Sequence, residues 1–458
     1  MKARSSLDMT AGDPFRLLIR FSLPLGLGAL FQQLYSFSDA AIIGRFLGAS
    51  AMTAVGITNP LNQLVLGFAI GSSVGFCIPV SQMVGAEKPE EVNRYFWNGL
   101  FLCAAIAFSL SLGIFLLART LLRFMHTDAA LFDLAAQYIR IIAGGQFFSV
   151  LYNYFSGILR AFGDSRRPFY FLVISSVLNV LLDLFLVLVI PMGVAGAAVA
   201  TVISQLVSAV LCIWWLVRSR LVRTRSADGQ PLTRISVPHI KQLCVMGMPL
   251  GIAHSACYIG NVTLQRFINT LGTVAAAAQI CGEKIRAIAT LPMEAVGSAM
   301  ATYVGQNFGA KRMDRIRTGV RAGLAVQALY CIFVWVVLLG LKKLLVNLIL
   351  GADAPTESFF GVKYLTLISP LFILHGTMQI FRSAVQSIGL SFSAVASALM
   401  EIIGRTSAGL LAVRLGSFVP VALSAPTAWL LAAACCAIIY ACFFRKTQGF
   451  PQAKGVPR

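Results

Sequence analysis

The chain has 458 residues, of which 58% are hydrophobic and only 12% are charged, and its formal net charge is +20. A soluble domain has about 25% charged residues, so this composition excludes an ordinary soluble protein and indicates one embedded in a membrane. The positive charge does not indicate nucleic-acid binding, because most basic residues lie in short segments between apolar stretches.

Twelve apolar stretches are long enough to cross a bilayer, which takes about 20 residues in a helix. Their continuity excludes the alternating pattern of β-barrel strands. Lipid offers the backbone no hydrogen bonds, so we predict an all-α integral membrane protein. The predicted spans are 15–42, 53–83, 93–118, 131–159, 166–190, 194–217, 239–268, 273–306, 315–340, 355–383, 389–414 and 420–444.

Three short motifs occur twice, about 224 positions apart, which indicates a duplicated unit of roughly 220 residues. Each unit holds six spans, an even number, so both halves enter the membrane from the same side. We therefore predict two parallel six-helix repeats around a central cavity. The repeated pairs are residues 82–86 (Gln-Met-Val-Gly-Ala) with 306–310 (Gln-Asn-Phe-Gly-Ala), 24–26 with 249–251, and 47–48 with 271–272.

Basic residues are concentrated in alternate loops, including Arg160 and Arg382, and in both tails. This positive-inside bias places both termini in the cytoplasm and the protein in the cytoplasmic membrane. The longest loop is basic, and we expect a solvated linker near anionic head groups. The predicted parts are an N-terminal lobe at 1–217, a linker at 218–241, a C-terminal lobe at 242–445 and a cytoplasmic tail at 446–458.

Five acidic residues fall inside predicted spans, where a charged side chain costs about 2.5–3.5 kcal/mol on insertion scales. Glu401 precedes Arg405 by four residues and Glu283 precedes Arg286 by three, so we interpret both as structural ion pairs. The other three have no basic residue within one turn of their own helix and are candidates for a proton or cation site: Asp39, Asp183 and Glu294.

Asp183 has polar neighbours at helical spacing. Asn179 lies one turn earlier, and the next span carries a polar stripe that includes Thr201 and Gln205. Their oxygens suit a hard cation or a protonated carboxyl group, which leaves H⁺ and Na⁺ both open. Because burial and a neighbouring acid raise the proton affinity of a carboxyl group, Asp39 and Asp183 could exchange a proton if they meet.

Polar stripes on otherwise apolar spans favour a shared, water-accessible cavity over tight polar packing. The residues that we expect to face this cavity on these grounds are Asn153, Gln205, His254 and Tyr258. Pro24 removes a backbone hydrogen bond inside the first span and predicts a kink that could act as a hinge; an ordinary tolerated proline is the alternative.

Arg160 and Arg382 match at an offset of 222 positions. The same offset would place Asn179 over Glu401 and Asp183 over Arg405. The hypothesis that follows is of two diverged halves, one with an exchangeable site and the other with a neutralised pair.

No Walker A loop, G-x-S-x-G elbow or HExxH motif occurs in the chain, so we predict that it is not an enzyme. The ten cysteines and four histidines lack metal-ligand spacing. We therefore expect no cofactor and no metal centre.

The ordered motifs resemble those of the multidrug and toxic compound extrusion (MATE) transporters over about residues 10–445, most closely the DNA-damage-inducible branch. The resemblance rests on Pro24 and Asp39 in the first span, residues 44–48 (Gly-Arg-Phe-Leu-Gly), both Gln-x-x-Gly-Ala segments, and residues 160–164 (Arg-Ala-Phe-Gly-Asp). His254 stands where the norfloxacin-exporter branch carries an acid in its seventh span.

This resemblance implies a monomeric antiporter that exports bulky, often cationic, drugs in exchange for H⁺ or Na⁺ and so supports antibiotic resistance. It assigns ion coupling to the N-terminal lobe and the drug cavity partly to the first and fourth spans. The implied coupling residues are Asp39, Asn179, Asp183 and Thr201, and the implied cavity residues are Gln32, Tyr35 and Tyr138.

Two alternatives stay open. A flippase for lipid-linked oligosaccharides or cell-wall precursors has a related architecture, but it usually has more than twelve spans and a cavity lined by arginines that hold pyrophosphate. Most candidate interior arginines here have an acid nearby in the sequence. An integral membrane transferase would need an acid or histidine cluster at the interface, and the loops here are short and poor in both.

Overall fold

A computed structural model describes residues 7–125, 127–226, 228–351 and 355–448, with Val262, Thr447 and Gln448 described by their backbones alone. Within these residues the chain is helical apart from loops and one isolated bridge between Arg225 and Pro231. The helices are α1 Pro14–Ile42, α2 Ala49–Gly85, α3 Pro89–Phe124, α4 Ala129–Ala161, α5 Arg166–Leu184, α6 Val194–Arg218, α7 Val237–Asn269, α8 Thr273–Gly309, α9 Met313–Leu350, α10 Pro355–Ile368, α11 Phe372–Ser387, α12 Phe392–Leu415, α13 Val419–Ala422 and α14 Ser424–Gln448.

Helices occupy all twelve predicted spans, with α10 and α11 together forming the tenth. In the described part of the chain, 11 of these spans are long and apolar enough to cross a membrane by length and composition. The eighth, α8, has 37 residues, but its middle carries Glu283, Lys284, Arg286 and Glu294, which lower its hydropathy. The predicted all-α membrane fold is confirmed.

The duplication is visible in the backbone. Gly48 and Gly272 precede α2 and α8 with φ angles of 86° and 95°, a left-handed conformation that glycine adopts without a steric penalty. Both helices have 37 residues, and the second residue after each, Glu87 and Lys311, also has a positive φ. An offset of 224 positions therefore relates the second and eighth spans.

The offset changes after the third span, so the predicted match of Arg160 with Arg382 is wrong. The left-handed residue after α4 is Gly163 and the one after α11 is Gly389, an offset of 226. The starts of α5 and α12 differ by the same amount. On this alignment Asn179 corresponds to Arg405, and Asp183 corresponds to Gly409 rather than to Arg405.

The two lobes meet along α1 and α2 of the first half and α7 and α8 of the second. Glycines allow α2 and α7 to approach closely, since a Cβ on Gly75 would collide with the backbone of Gly247, and one on Gly251 with the backbone of Phe68. Small residues are the usual means of tight helix packing in lipid, where burial of apolar surface between helices gains little.

Each lobe has an apolar core of its own. In the N-terminal lobe it is built around Phe96, Tyr154 and Phe155, and in the C-terminal lobe around Tyr364 and Trp429. Tyr154 donates its hydroxyl to the Phe96 carbonyl oxygen (2.7 Å), which satisfies a buried polar group within the core.

The linker between the lobes is largely exposed, in keeping with the expected solvated segment, and it is also docked on α3. Asn93 and Asn98 accept backbone N–H bonds from Arg223 (2.5 Å) and Ser236 (2.8 Å). Trp97 donates to the Arg223 carbonyl oxygen at 2.9 Å. The helix α7 begins at Val237 rather than at 242, and α14 continues to 448 rather than ending at 445. Residues 449–458 of the predicted tail lie outside the described residues.

The ends of α2 and α8 cross and close one end of the bundle. A Cβ on Gly85 would collide with the carbonyl oxygen of Gln306, and one on Gly309 with that of Gln82. Gln82 donates its side-chain amide to Ser387 O (2.8 Å), and Gln306 donates its own to Ala161 O (2.8 Å). The repeated Gln-x-x-Gly-Ala segments thus join the two lobes.

Candidate functional site

Two acidic side chains from different helices meet in the N-terminal lobe. Asp39 lies in the last turn of α1 and Asp183 in the last turn of α5, and their carboxyl groups hydrogen-bond to each other. A carboxylate can only accept hydrogen bonds, so this bond forms when one of the pair holds a proton. The structure thus brings together the two acids, a condition that the sequence had left open.

Hydroxyl groups from three helices surround this acid pair. Tyr35, one turn before Asp39, shares a hydrogen bond with Thr201 of α6. Tyr138 of α4 is buried beside both acids. Asn179 is fully buried one turn before Asp183. The four residues predicted to couple ions thus lie in one region, and Tyr35 and Tyr138 belong to it rather than to the central cavity.

A π-helical turn follows each acid. Residues Ile43–Leu47 continue α1, residues Phe185–Val189 continue α5, and the two turns contact each other. Such turns leave the regular hydrogen-bond pattern and are frequent at functional sites. Oδ1 of Asp39 is buried with no hydrogen-bond partner among the described residues. The site therefore offers carboxyl and hydroxyl oxygens to a proton or a small hard cation.

A cavity of about 500 Å³ lies between the lobes, against α2 and α4 on one side and against α7, α8, α11, α12 and α14 on the other. Asn153 and His254 line it, as predicted. A pocket of about 190 Å³ shares Asn153 with this cavity and is lined by Pro24 and Gln32.

Two other predicted residues lie elsewhere. Tyr258 lines a separate pocket beside His254 and packs over Gly67 of α2. Gln205 is half-buried on α6 and lines none of the pockets described. The polar stripe on α6 faces the neighbouring helices instead, where Ser208 donates to the Ser175 hydroxyl at 2.5 Å.

In the C-terminal lobe, Glu401 holds two arginines. It accepts from Arg405 at 3.0 Å and also pairs with Arg382 of α11. The predicted ion pair of Glu401 with Arg405 is confirmed. Arg382 is not a loop residue, as its position in the sequence suggested; it lies within α11 and also donates to Ser397 (2.8 Å).

The eighth span contributes a second pair and a single acid. Glu283 pairs with Arg286, as predicted, and also accepts from the Tyr364 hydroxyl at 2.8 Å. Glu294 lines both the central cavity and the adjoining pocket, with no hydrogen bond or ion pair to another described side chain.

Most of the charged and aromatic residues that line the cavity were not predicted from the sequence. Arg160 lies in the last turn of α4 rather than in a loop and faces the cavity, together with Arg286, His375 and Trp429. The sequence did contain a signal for two arginines of the cavity. Arg160 and Arg382 each lie within a turn or two of the end of a span that carries a polar stripe. The sequence could not show that the helix continues past them.

A duplicated helical bundle with a polar cavity between its lobes is the architecture of a transporter that works by alternating access. The comparisons with known proteins agree. The MatE family model matches residues 24–185 and 249–405, more than half of the chain, so the chain belongs to the MatE family. Members of this family are secondary transporters and not enzymes, and the family assignment supports multidrug efflux.

Among curated proteins, the chain is 27% identical over 382 residues to the probable multidrug resistance protein YpnP of Bacillus subtilis, covering 83% of this chain and 84% of that one. A solved outward-facing multidrug resistance MATE family transporter superposes with a TM-score of 0.90 at 20% identity, covering 98% and 100% of the two chains. A transporter of the MOP superfamily from Pyrococcus furiosus, described as having a binding pocket of reverse polarity, also superposes with a TM-score of 0.90, at 21% identity and with the same coverage. These structural similarities establish the fold alone.

Proposed function

We propose that this chain is an antiporter of the cytoplasmic membrane that exports bulky organic compounds in exchange for H⁺ or Na⁺. The observation that carries the proposal is the contact between Asp39 and Asp183 inside the N-terminal lobe. Buried acids are costly in a membrane and mark ion pathways in many pumps. Both termini face the cytoplasm in this proposal, and the protein acts as a monomer.

Ion binding at the acid pair would act on the lobe interface through α1. This helix packs on α5, which carries Asp183, and also on α8 of the other lobe. An ion that binds one conformation more tightly shifts the equilibrium by that difference in affinity. A charge that crosses the membrane gains about 2.3 kcal/mol per 100 mV, enough for a drug gradient of more than tenfold. Pro24 is the proposed hinge.

The test is the loss of efflux from cells in the variants Asp39→Asn and Asp183→Asn, with a fluorescent organic compound that wild-type cells export as the probe. Each change keeps the size of the side chain but removes a group that must release a proton or hold a cation, so we expect loss of nearly all efflux at unchanged protein level. The control is Asp133→Asn, because Asp133 is an exposed acid that pairs with Arg119 and does not belong to the buried acid pair. Wild-type efflux in both test variants would disprove the coupling assignment.

The coupling ion is identified in liposomes that contain the purified protein. A pH gradient and a sodium gradient are imposed separately, and movement of the same fluorescent compound is recorded for each. We expect one of the two gradients, and not the other, to drive transport in the wild type and neither to drive it in Asp183→Asn.

The resemblance to drug exporters implies substrates that are often cationic. The arginines that line the central cavity do not favour this preference, because a cation would meet like charge there. We therefore propose a bulky organic substrate, and we infer its charge from the side chains that line the cavity.

A further inference from the structure

Four arginines, from both lobes, line the central cavity. They are Arg160 of α4, Arg286 of α8, Arg382 of α11 and Arg405 of α12. Arginine is costly at the depth of a membrane unless it is paired or serves a site. The partners of these four side chains therefore decide whether the cavity is neutral.

The acids nearby do not balance the arginines. Arg382 and Arg405 share the single carboxylate of Glu401, which leaves one positive charge over. Arg286 forms an ion pair with Glu283, so these two charges balance. The guanidinium of Arg160 forms no hydrogen bond or ion pair with any other described residue.

Glu294 is the one further acid in the described lining of the cavity. It can offset only one of the two remaining positive charges. The cavity wall therefore keeps a surplus of positive charge, to which Arg160 of the N-terminal lobe and the Arg382–Arg405 pair of the C-terminal lobe contribute.

A buried histidine without a partner lies among these arginines. His375 is 6% exposed and lines the cavity, and neither of its ring nitrogens has a hydrogen-bond partner among the described residues. Its ring centroid lies 4.9 Å from that of Trp429. A buried polar side chain normally has a partner, so an unsatisfied one that faces a cavity indicates a place for a ligand.

The two repeats differ in charge at equivalent places. Arg405 of α12 occupies the position of Asn179 of α5, close to the acid pair of the N-terminal lobe. One lobe thus presents carboxyl groups and the other presents guanidinium groups. This difference separates a site suited to cations in the N-terminal lobe from a site suited to anions in the C-terminal lobe.

We infer that the C-terminal wall of the central cavity binds the acidic group, a carboxylate or a phosphate, of a bulky organic anion. Arg405 and Arg382 hold the oxyanion, since guanidinium groups match the geometry of carboxylates and phosphates. His375 supplies a further hydrogen bond, and Trp429 provides an aromatic surface for the rest of the molecule. This inference rests on the proposed transport function and names its substrate class.

The experiment measures binding to the purified full-length protein in detergent, without any gradient, by fluorescence. Two probe pairs differ in one acidic group each: FMN and riboflavin differ by a phosphate, and fluorescein and its methyl ester by a carboxylate. For at least one pair, we expect the acidic member to bind at least about tenfold more tightly, as a charge-assisted hydrogen bond predicts. Which pair discriminates distinguishes phosphate from carboxylate.

The variant is Arg405→Gln, which removes the surplus charge and leaves Glu401 paired with Arg382. We expect it to bring the acidic probe to within about threefold of its neutral partner, as expected when most of one such bond is lost. The matched control is Arg414→Gln on the same helix, in the last turn and away from the cavity. If Arg405→Gln does not fold, Arg160→Gln replaces it, because it removes one positive charge from the lining of the same cavity and should likewise weaken binding of the acidic probe.

The inference is overturned if neither probe pair discriminates in the wild type, or if the cavity variant binds as the Arg414→Gln control does. These outcomes are separate from failure of the proposed coupling. Binding in detergent needs no gradient, so an Asp183→Asn protein that has lost transport should still prefer the acidic probes.

Discussion

At the scale of single residues, the two lobes use their buried acids in opposite ways. Asp39 and Asp183 lie against each other and against hydroxyl groups, an arrangement suited to taking up and releasing an ion. Glu401 lies between two guanidinium groups and serves to hold them in place. Buried carboxyl groups thus have two roles in this protein, and the surrounding side chains determine which role each one has.

Glu401→Gln should lower the free energy of unfolding by roughly 3 kcal/mol, because two buried arginines lose the carboxylate that they share. The measurement is the thermal unfolding midpoint of the detergent-purified protein. Glu90→Gln is the control, since Glu90 is an exposed acid in the first turn of α3. An unchanged midpoint for Glu401→Gln would contradict a structural role.

At the scale of the elements, glycines determine how closely the helices cross. Gly85 and Gly309 bring the backbones of α2 and α8 into contact at the closed end of the bundle. The repeat makes this contact reciprocal, because each glycine faces the glutamine of the other copy. The sequence suggested only that these glycines end their helices, and the packing supplies the stronger reason.

Gly85→Ala and Gly309→Ala should hold the lobes apart at this end and abolish most efflux of the same fluorescent compound. Spin labels on cysteines that replace the exposed Lys88 and Lys311, in an otherwise cysteine-free protein, should report a longer and broader distance. Gly113→Ala is the control, because a Cβ there would meet nothing within 4 Å. The same distance in all three proteins would count against the closure.

At the scale of the whole molecule, the chain before α1 ties the two lobes together. Leu7 donates its N–H to Gly163 O in the N-terminal lobe at 2.9 Å. Two residues later, the backbone of Met9 bonds with Gln306 and Asn307 of the C-terminal lobe, at 3.2 and 2.9 Å. These contacts add to the crossing of α2 and α8, so the closed end involves both halves and the leading segment.

Removal of residues 1–12 should favour opening of this end by about a hundredfold, since the three hydrogen bonds lost are worth about 1 kcal/mol each. The readout is the rate at which a maleimide labels Cys77, which lines the central cavity, in a protein whose other cysteines are replaced. Removal of residues 1–6 leaves the bridging residues in place and should not change the rate. Equal rates for both deletions would show that the bridge does not hold the end closed.

The amino-acid sequence by itself determined the membrane class, the helical spans, the duplication and the acids of the N-terminal lobe. These follow from length, hydropathy and short spacings, because lipid enforces helices and makes every buried charge conspicuous. The docked linker, the 226-residue offset and the four arginines facing one cavity emerged only from the tertiary structure. The four arginines meet because helices from both halves of the chain pack around one cavity: Arg160, Arg286, Arg382 and Arg405. No local pattern in the sequence encodes which faces of those helices meet.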